Sequence, residues 1–592
     1  MPAGTHTIRM GGGTYTLTSQ CTLKSNWTLD GSGSSGSGRT TIKPPTSWNR
    51  SGQSAQPQNT YYAIKVQNGN SIIENVTIQD IEFVDGGGKK ADGAIRAFKA
   101  RNLTLDNLVF KNFRLTGAYL ERESGAEVKN CYFENTASNS IFDGSRTSQL
   151  WTRYLEDVTI KYNTFKTTYS NGYGYRGRGH EKAAIHNNTF DINNNFDIEI
   201  AHENEYGVQI YDNTLKQTIS VPKSGQQSNP ASRGYSYSIN IYRNTSSSKE
   251  FVEGSRGWME IAYNWVTSTT GNDRRFYTDF GSVSTSGDIK IHHNVVEGNR
   301  LSFIYVEGGG DGVGGRVNNL KVYTNTVYFS ASHTATVIKL TKAGACNGWE
   351  IKNNVFVGSS GAQRSFISWD SASVVPSYTA TNNVFQNVTN IPSNNHNSNP
   401  NLRLSGKKPY PYYSPANSGS NVVNRGTYVG FPYTGSNPDA GAFGWNLVPQ
   451  GIWVKIIAKH SGKGMDVSGV SQNEGANIHL WDVSSSNHNK LWRFNYNGGG
   501  YYRIQVRHSS KYAKVSQGST SNGASIQQAS WVASDEFRWN PVAVENGTYY
   551  RIENKKSGKV IEVSGGSTSN GADIQQWTYG GGNNQRWRFE SP

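Results

Sequence analysis

The amino-acid sequence predicts an all-β protein built from two repetitive parts. Its 592 residues include 65 Gly, 33 Tyr and 15 Trp but only 4 Met, and this mixture favours strands and turns over helices. A short phrase containing Asn recurs along residues 1–445, and three longer repeats fill residues 452–592. Residues 446–451 are expected to link the two parts.

The recurring phrase reads apolar-x-apolar-x-x-Asn, as in residues 158–163 and 289–294. Its copies end at Asn130, Asn163, Asn188, Asn213, Asn244, Asn264, Asn294, Asn325, Asn354 and Asn383. A spacing of 20 to 33 residues suits one turn of a parallel β-helix, because stacked coils bury faces that one coil leaves open. We expect the Asn at a bend, with a left-handed backbone and hydrogen bonds to the Asn above and below.

The ends of the first part carry a resemblance. The opening phrases Gly-Gly-Thr-Tyr-Thr-Leu17 and Asn26-Trp-Thr-Leu-Asp-Gly-Ser-Gly, and the late phrases Ser414-Pro-Ala-Asn and Asn437-Pro-Asp-Ala-Gly-Ala-Phe443, resemble the pectate-lyase-like superfamily. The resemblance implies a right-handed parallel β-helix over residues 1–445 that acts on carbohydrate. It does not define the reaction, since lyases and hydrolases share this scaffold.

The second part contains three repeats of about 45 residues, clearest in Gly571-Ala-Asp-Ile-Gln-Gln-Trp577 and Gln585-Arg-Trp587. These phrases resemble ricin-type β-trefoils (carbohydrate-binding module family 13). The resemblance implies sugar pockets made of a carboxylate, an aromatic platform and an Asn: Asp466, Trp481 and Asn489 in the first repeat, and Glu562, Trp577 and Asn584 in the third. Lys514 replaces the acid in the second repeat, which is expected to be inactive. Trp492, Trp539 and Trp587 are expected in the core.

Charged and tyrosine side chains recur in the strand that precedes each Asn phrase. Equivalent residues of successive coils lie about 4.8 Å apart, so outward ones would form a row along a groove. The candidates are Glu121, Asp143, Arg176, Arg178, His180, Lys182, Glu199, His202, Glu253, Arg275, Tyr277, Asp279, Tyr305, Glu307, Lys339 and Lys342.

One chemistry for this row is β-elimination by a polysaccharide lyase, which needs a base, an acid and a cation that neutralises a uronate carboxylate. Tyr305 with Lys339 is one base and acid couple, and His180 with Lys182, near Glu199 and His202, is another. Residues expected to bind substrate are Arg176, Arg178, His202, Arg275, Tyr277, Glu307 and Lys342. Glu199 and Glu253 could hold Ca²⁺ or another divalent cation that bridges to the substrate.

The alternative is a glycoside hydrolase with two carboxyls, about 5–5.5 Å apart for retention or 6.5–9.5 Å for inversion. Glu199, Glu253, Asp279 and Glu307 could supply the pair. A third alternative is a β-helix that binds carbohydrate without cleaving it. The alginate lyase and chondroitinase B group carries Arg-His-Gly on one coil, whereas Ala201-His202-Glu203 here lacks the Arg.

The net charge of +15 favours an acidic polysaccharide as partner, and no nucleic-acid-binding motif is present. No run of about 18 apolar residues predicts a membrane span. The three cysteines give neither a metal signature nor a disulfide framework; Cys131 is expected as a small buried residue. We expect a secreted monomer whose signal peptide is absent from this sequence.

Overall fold

The computed structural model describes residues 4–33, 36, 38–48, 61–85, 91–134, 148–168, 172–193, 195–201, 203–222, 228–254, 256–268, 274–279, 287–298, 301–308, 316–329, 335–359, 364–406, 408–431, 433, 436–444, 448–484, 487–545 and 548–592. Within these residues the chain is all-β, with a few 3₁₀ turns and no α-helix. A parallel β-helix comes first and a β-trefoil follows, so the predicted fold class is confirmed. The β-helix strands end at Asn397 and the trefoil strands begin at Lys455.

Three parallel sheets form the β-helix over its described residues. Sheet 1 contains β1 (His6–Arg9), β4 (Trp27–Asp30), β8 (Thr77–Gln79), β12 (Thr104–Asp106), β15 (Glu127–Lys129), β18 (Glu156–Lys161), β21 (Glu181–His186), β24 (Val208–Tyr211), β27 (Ile239–Tyr242), β30 (Met259–Ala262), β33 (Ile289–His292), β36 (Leu320–Tyr323), β39 (Trp349–Lys352) and β42 (Tyr378–Thr381).

Sheet 2 carries the predicted row. It contains β3 (Cys21–Leu23), β6 (Tyr62–Val66), β10 (Gly93–Phe98), β14 (Thr116–Glu121), β17 (Ser148–Arg153), β20 (Tyr173–Arg178), β23 (Phe196–Ile200), β26 (Thr218–Val221), β29 (Glu250–Gly254), β32 (Arg274–Asp279), β35 (Leu301–Glu307), β38 (Ala335–Thr341) and β41 (Arg364–Trp369).

Sheet 3 closes each coil. It contains β2 (Gly13–Thr16), β5 (Thr40–Lys43), β9 (Ile81–Val84), β13 (Val109–Lys111), β16 (Tyr132–Glu134), β19 (Thr164–Thr167), β22 (Thr189–Ile192), β25 (Thr214–Leu215), β28 (Thr245–Ser246), β31 (Trp265–Ser268), β34 (Val295–Gly298), β37 (Thr326–Phe329), β40 (Val355–Gly358), β43 (Val384–Gln386) and β44 (His396–Asn397). The short strands β7 (Ile73–Glu74) and β11 (Ala100–Arg101) pair separately.

The core of the β-helix is a column of inward apolar side chains that stack from coil to coil. Ile160, Ile185 and Ile210 occupy one register on neighbouring strands of sheet 1 and are fully buried. Phe133 and Phe165 stack in the same way on sheet 3, with ring centroids 4.8 Å apart. A residue every second position therefore faces inward, as the Asn phrase predicts.

A ladder of buried asparagines joins the coils at the corner between sheets 1 and 3. Each of their side-chain amides donates to the Oδ1 of the next Asn at 2.8–3.1 Å. The buried members are Asn163, Asn188, Asn213, Asn244, Asn264, Asn294, Asn325, Asn354 and Asn383, and the ladder ends at the half-buried Asn395, which accepts from Asn383. The same amides also donate to main-chain carbonyls, such as that of Ile160 from Asn188 at 2.9 Å. The predicted hydrogen bonds between coils are thus confirmed.

Two details of the ladder differ from the prediction. The left-handed backbone lies one residue before each ladder Asn, at positions such as Tyr162 and Asp212, with φ of 57° and 56°. Asn130 is such a residue and is exposed. Cys131 takes the ladder position instead, and its N–H donates to Asn163 at 2.9 Å. It is buried as expected, and burial raises the pKa of its thiol to about 12.

The trefoil contains twelve antiparallel strands within the described residues. They are β45 (Lys455–Ala458), β46 (Gly464–Val467), β47 (Ile478–Trp481), β48 (Trp492–Tyr496), β49 (Tyr502–Val506), β50 (Tyr512–Val515), β51 (Ile526–Ala529), β52 (Trp539–Val544), β53 (Tyr549–Asn554), β54 (Val560–Val563), β55 (Ile574–Trp577) and β56 (Trp587–Glu590). Trp492, Trp539 and Trp587 are fully buried, and each indole N–H donates to a main-chain carbonyl at 2.9 Å. Their predicted place in the core is confirmed.

The two parts pack against each other through a polar junction and a shared apolar cluster. Asp212 of the β-helix accepts from both Arg243 nitrogens at 3.1 and 3.0 Å and from the Trp453 indole at 2.8 Å. The guanidinium of Arg493 in the trefoil lies 3.6 Å from the same carboxylate.

Among the described residues, no helix has the length and apolar character to span a membrane.

Candidate functional site

One register of sheet 2 brings outward side chains from successive coils into a line, here called the central row. In chain order it contains Lys65, Arg96, Tyr119, Trp151, Arg176, Glu199, Ser220, Glu253, Thr278, Tyr305, Lys339 and Ser368. The two-residue period of each strand places these side chains outside, while their neighbours fill the core. Arg176, Glu199, Glu253, Tyr305 and Lys339 were predicted at these positions.

Tyr305 lies between two cations, Lys339 on the row and Arg275 beside it. The Arg275 guanidinium carbon is 3.9 Å from the centroid of the Tyr305 ring, and Lys339 Nζ is 5.6 Å from it. The Tyr305 hydroxyl donates to Thr341 at 3.3 Å, and only 5% of the residue is exposed. Cation–π contact on both sides therefore fixes the ring against the sheet.

Arg275 is itself held by two carboxylates, whereas Lys339 has no ion pair among the described residues. Arg275 lies 3.6 Å from Glu250 and 3.5 Å from Glu307. Arg275 and Glu307 face outward beside the central row, as predicted. Lys339 is the cation that remains available to a ligand at this end of the row.

A carboxyl pair lies two coils before Tyr305 on the row. Glu253 shares a hydrogen bond with Glu250 and accepts one from the Ser220 hydroxyl at 2.8 Å. Burial, followed by the charge of Glu250, raises the pKa of Glu253 to about 7. Two carboxyls that share a hydrogen bond hold a proton between them, so the pair carries a titratable proton near neutral pH.

Further along the row, Arg176 forms a buried ion pair with Glu199. Burial raises the pKa of Glu199 in spite of this partner and of Arg178. Burial and the charge of Arg176 lower the pKa of Arg178, which lies beside the row. Two guanidinium groups thus face one carboxylate, so this stretch keeps a net positive charge.

Aromatic residues extend the row beyond Arg176 and were missed from the sequence. Tyr119 and Trp151 pack with ring centroids 5.1 Å apart, and the Arg96 guanidinium lies 4.8 Å from the Tyr119 ring. Arg96 is paired with Glu121 at 3.4 Å. Both rings are nearly buried although they face outward. Because they are large and apolar, the sequence alone suggests that they belong to the core. A strict two-residue count along residues 148–153 is the signal that would have found Trp151.

Tyr277 and Asp279 were predicted on the outward face, and that placement is wrong. Phe276 and Tyr277 are successive residues that are both fully buried, which interrupts the alternation of β32. Thr278 consequently takes the outward position, and the Tyr277 hydroxyl donates to Asp279 inside the coil at 3.2 Å. Asp279 therefore cannot meet a substrate, and neither can the Tyr277 ring.

His180, Lys182 and Lys342 also lie outside the row. His180 is buried, with its ring nitrogens 3.1 Å from Glu205 and 2.9 Å from the Thr152 hydroxyl. Lys182 belongs to sheet 1, where its exposed side chain pairs with Asp157 at 3.0 Å. Lys342 follows β38 in a left-handed bend, and its N–H donates to Asp370. The second base and acid couple is thus not brought together, and Asp143 and His202 lie outside the described residues.

The carboxylates of the row do not suit a divalent cation. Glu199 is paired with Arg176, and Ser220 separates it from Glu253 in the register. Calcium takes about 6–8 oxygen ligands. Within the described residues, no group of three or more His, Cys, Asp or Glu side chains is placed so that it could hold a metal ion. Metal binding by Glu199 and Glu253 stays a prediction that this arrangement does not favour.

The first trefoil repeat forms a polar pocket beside an exposed ring. Asp466 accepts from the Asn489 amide at 3.1 and 3.0 Å and lies 3.1 Å from His479 Nε2. The His479 ring stacks on Trp481 at 5.1 Å, and Trp481 is 39% exposed. The three predicted residues are brought together, and His479, which was not predicted, joins the carboxylate to the indole.

The third repeat uses glutamine in the equivalent places. Glu562 accepts from Gln575 at 2.9 Å and from Gln585 at 2.8 Å. Asn584, the predicted Asn of this pocket, donates to the main-chain carbonyl of Val563 at 2.9 Å. Glu reaches further than Asp, which brings the carboxylate to the residue after Asn584. Trp577 is 41% exposed.

The second repeat lacks both chemical groups. Lys514 stands at the carboxylate position, paired with Gln527 across the strands, and its Nζ lies 5.5 Å from the Phe537 ring. Ala529 stands where the other repeats have tryptophan. A pocket with neither acid nor aromatic platform fits the expectation of an inactive repeat.

Comparisons with known proteins agree with this division. Residues 58–249 match a family model described as a right handed beta helix region. Residues 488–577 and 544–592 match the ricin-type beta-trefoil lectin domain-like model. Both matches agree with the β-helix and the β-trefoil that the structure shows in these two parts of the chain. No curated protein matches the chain.

Several solved structures resemble about a quarter of the chain. The designed three-fold symmetric protein ThreeFoil is 38% identical over 24% of this chain and 99% of its own, with a TM-score of 0.23. An exo-beta-1,3-galactanase from Clostridium thermocellum is 29% identical over 25% of this chain, which covers 31% of that enzyme, with a TM-score of 0.24. A Macrolepiota procera ricin B-like lectin in complex with lactose is 25% identical over 25% of this chain and 99% of its own, with a TM-score of 0.22.

Proposed function

We propose that the chain is a secreted enzyme that cleaves an acidic, uronate-containing polysaccharide such as alginate, glucuronan or pectate by β-elimination. The β-helix carries the reaction on the central row, and the trefoil holds the enzyme on carbohydrate. The observation that carries the proposal is the placement of Tyr305 between Arg275 and Lys339 on one outward face.

Elimination needs a proton acceptor, a proton donor and positive charge near the carboxylate. Tyr305 and Lys339 are register partners on adjacent strands, so their side chains reach one sugar ring together. One of the two removes the proton beside the uronate carboxylate, the freed pair forms the ring double bond, and the glycosidic C–O bond breaks. The other supplies a proton to the leaving oxygen. When Tyr305 is the base, protonated Lys339, which has no ion pair among the described residues, also supplies the positive charge. When Lys339 is the base, Arg275 supplies that charge.

The rest of the row offers room for a long acidic chain. Trp151 lies six strands from Tyr305 in the register, or about 29 Å at the spacing of parallel strands. Arg96, Arg176 and Arg178 lie along or beside the far part of that distance. Cations beside such a face attract a polyanion, in agreement with the net charge of +15.

The experiment is a substrate panel followed in the ultraviolet. The full chain is incubated with alginate, glucuronan, pectate and neutral glucans. We expect absorbance of the unsaturated uronate product with at least one acidic polymer and none with neutral glucans. New reducing ends without that absorbance would mean hydrolysis and overturn the elimination chemistry.

A second candidate function, a glycoside hydrolase, is favoured by Glu253. A carboxyl whose pKa is about 7 is suited to protonate a leaving group at neutral pH. Glu199 lies two strands away in the register. Its backbone is about 9.6 Å from that of Glu253, just above the roughly 6.5–9.5 Å that separates the two carboxyls of an inverting enzyme, so the two side chains form such a pair if they lean toward each other. In that case Glu253→Gln abolishes cleavage, whereas Tyr305→Phe does not.

For the trefoil we propose two sugar pockets, at Asp466 with Trp481 and at Glu562 with Trp577. The support is the combination of a hydrogen-bonded carboxylate with an exposed indole in each. The related lectin solved with lactose makes lactose a reasonable first probe.

A further inference from the structure

A cleft of about 380 Å³ separates the outward face of sheet 1 from the trefoil. Asn240, Tyr242 and Glu260 line it from the β-helix, and Asn495 and Tyr496 line it from the trefoil. It lies on a different sheet from the central row, and none of the trefoil pocket residues lines it.

Two polar groups of the β-helix stand side by side in this cleft. Asn240 on β27 and Glu260 on β30 are register partners on adjacent strands. The Asn240 Oδ1 is buried and has no hydrogen-bond partner within the described residues. A buried acceptor of this kind costs free energy unless something donates to it, so this carbonyl marks a position where a ligand hydroxyl would be stabilised.

The surroundings of Glu260 stabilise its ionised form. His292 Nε2 lies 3.0 Å from its Oε1, and the Tyr237 hydroxyl donates to the same oxygen at 3.1 Å. Burial opposes ionisation, but the hydrogen bonds and charge of His292 and the bond from Tyr237 hold the pKa of Glu260 below its usual range. Both partners contact Oε1, which leaves Oε2 to accept from a ligand. The remaining cation of the lining, Arg243, already donates to Asp212 through two nitrogens.

The trefoil contributes an aromatic surface opposite these acceptors. Tyr496 is 39% exposed at the edge of the cleft, and its ring packs edge-on against Tyr502 at 5.4 Å. Asn495, which precedes it, bonds Gln505 only at 3.3 Å. A concave site with a few fixed polar groups and an aromatic surface is typical of small-molecule recognition. Paired hydroxyls that donate to adjacent carboxylate and amide oxygens, on a molecule with an apolar face, describe a pyranose sugar.

We infer that this interdomain cleft is a third carbohydrate site, specific for a neutral sugar, to which both parts of the chain contribute. Glu260 and Asn240 accept hydrogen bonds from adjacent hydroxyls, and Tyr496 covers the apolar sugar face. Neutral sugars are selected because the Glu260 carboxylate repels a uronate and the two nearby cations are engaged: Arg243 donates to Asp212, and Lys290, next to Glu260 in the register, donates to the Tyr237 hydroxyl at 3.2 Å. The inference does not depend on the reaction proposed for the central row.

The test uses the full chain with both trefoil pockets disabled, the first by Asp466→Asn with Trp481→Ala and the third by Glu562→Gln with Trp577→Ala. Lactose, cellobiose and maltose are titrated into this variant by calorimetry. We expect at least one of the three to bind, and Glu260→Gln, Asn240→Ala or Tyr496→Ala to weaken that binding about tenfold or more. Because Tyr496 is partly exposed, its variant keeps the fold even where Glu260→Gln disturbs His292.

Two variants serve as matched controls. Glu350→Gln changes a carboxylate of the same sheet 1 register, three strands further along. Tyr15→Ala removes a tyrosine on sheet 3 that is also 39% exposed. Neither should change the affinity. Absence of binding by all three disaccharides in the pocket-disabled chain overturns the inference, and so does an affinity of both the Glu260 and the Tyr496 variant equal to that of the pocket-disabled chain.

Discussion

The Asn ladder and the central row lie on the same coils, yet one repeats a single side chain and the other changes it at every step. The ladder places a buried Asn on each coil from Asn163 to Asn383. The central row passes from Trp151 through Glu199 to Lys339 over the same stretch. Repetition of one residue satisfies the backbone of every coil in the same way, whereas variation at an outward position creates a surface that differs along its length.

The trefoil shows the same contrast among three repeats. Trp492, Trp539 and Trp587 are identical, fully buried and hydrogen-bonded alike. The carboxylate positions differ: they hold an acid in the first and third repeats but Lys514 in the second. In both parts, the uniform positions build the fold and the varied outward positions carry the candidate sites. Mutations can test this division directly.

The largest effect is expected on the central row. Tyr305→Phe or Lys339→Ala should lower kcat on the acidic substrate by about 100- to 10,000-fold, the usual contribution of a general acid or base. Tyr305→Phe keeps the ring between Arg275 and Lys339, so it removes the hydroxyl and preserves the packing. Initial rates of ultraviolet absorbance measure the effect.

The control for this pair is Lys166→Ala, which removes a lysine from β19 on sheet 3. It should leave kcat unchanged. Full activity of both row variants would show that this couple does not perform the reaction and would favour Glu253 as the proton donor instead.

A change in the ladder should affect stability and not chemistry. Asn264→Ala removes an amide that donates to Ile241 and Asn294 and an oxygen that accepts from Asn244. The buried groups left without partners should cost about 2–4 kcal/mol of unfolding free energy. Denaturant unfolding of the two proteins measures the loss.

Asn130→Gly is the matched control, because Asn130 is exposed and outside the ladder, and glycine adopts its left-handed backbone without strain. Its unfolding free energy should stay within about 0.5 kcal/mol of the parent chain. An equal loss in both variants would mean that the Asn phrase, and not the ladder bond, determines stability.

The sequence predicts the coils well because each coil repeats the same pattern and errors do not accumulate. Strict alternation also places Glu199, Glu253 and Tyr305 correctly on the outward face. It fails at Phe276 and Tyr277, where two successive side chains are buried. Nothing in the neighbouring sequence indicates that the alternation is interrupted there. The cleft beside Glu260 could not be predicted, since it forms only when the trefoil docks on sheet 1.

The Glu253 carboxyl on the central row should lower the unfolding free energy of the chain at neutral and higher pH. Its pKa of about 7 in the folded chain exceeds the unfolded value of about 4.3, so the folded state binds the extra proton. Stability is therefore lost as pH rises above the unfolded pKa, and the loss is complete above the folded one. Glu253→Gln removes the penalty and should raise the unfolding free energy by about 1–3 kcal/mol near pH 8 but not near pH 4.

Unfolding curves of Glu253→Gln and its parent at both pH values provide the measurement. The exposed Glu156→Gln on β18 is the control and should show no gain at either pH. A gain of the same size at both pH values would contradict a raised pKa and indicate a packing effect.

The smallest effect is expected in the trefoil, where the second repeat serves as a control within the same chain. Asp466→Asn should weaken lactose binding at the first pocket about tenfold, because a charged acceptor of sugar hydroxyls becomes neutral. Glu562→Gln should do the same at the third pocket, whereas Lys514→Ala should leave both affinity and stoichiometry unchanged. Calorimetric titration of lactose into each variant separates these outcomes. A loss on Lys514→Ala as large as that on Asp466→Asn would show that all three repeats bind sugar, and the varied trefoil positions would then no longer distinguish working pockets from silent ones.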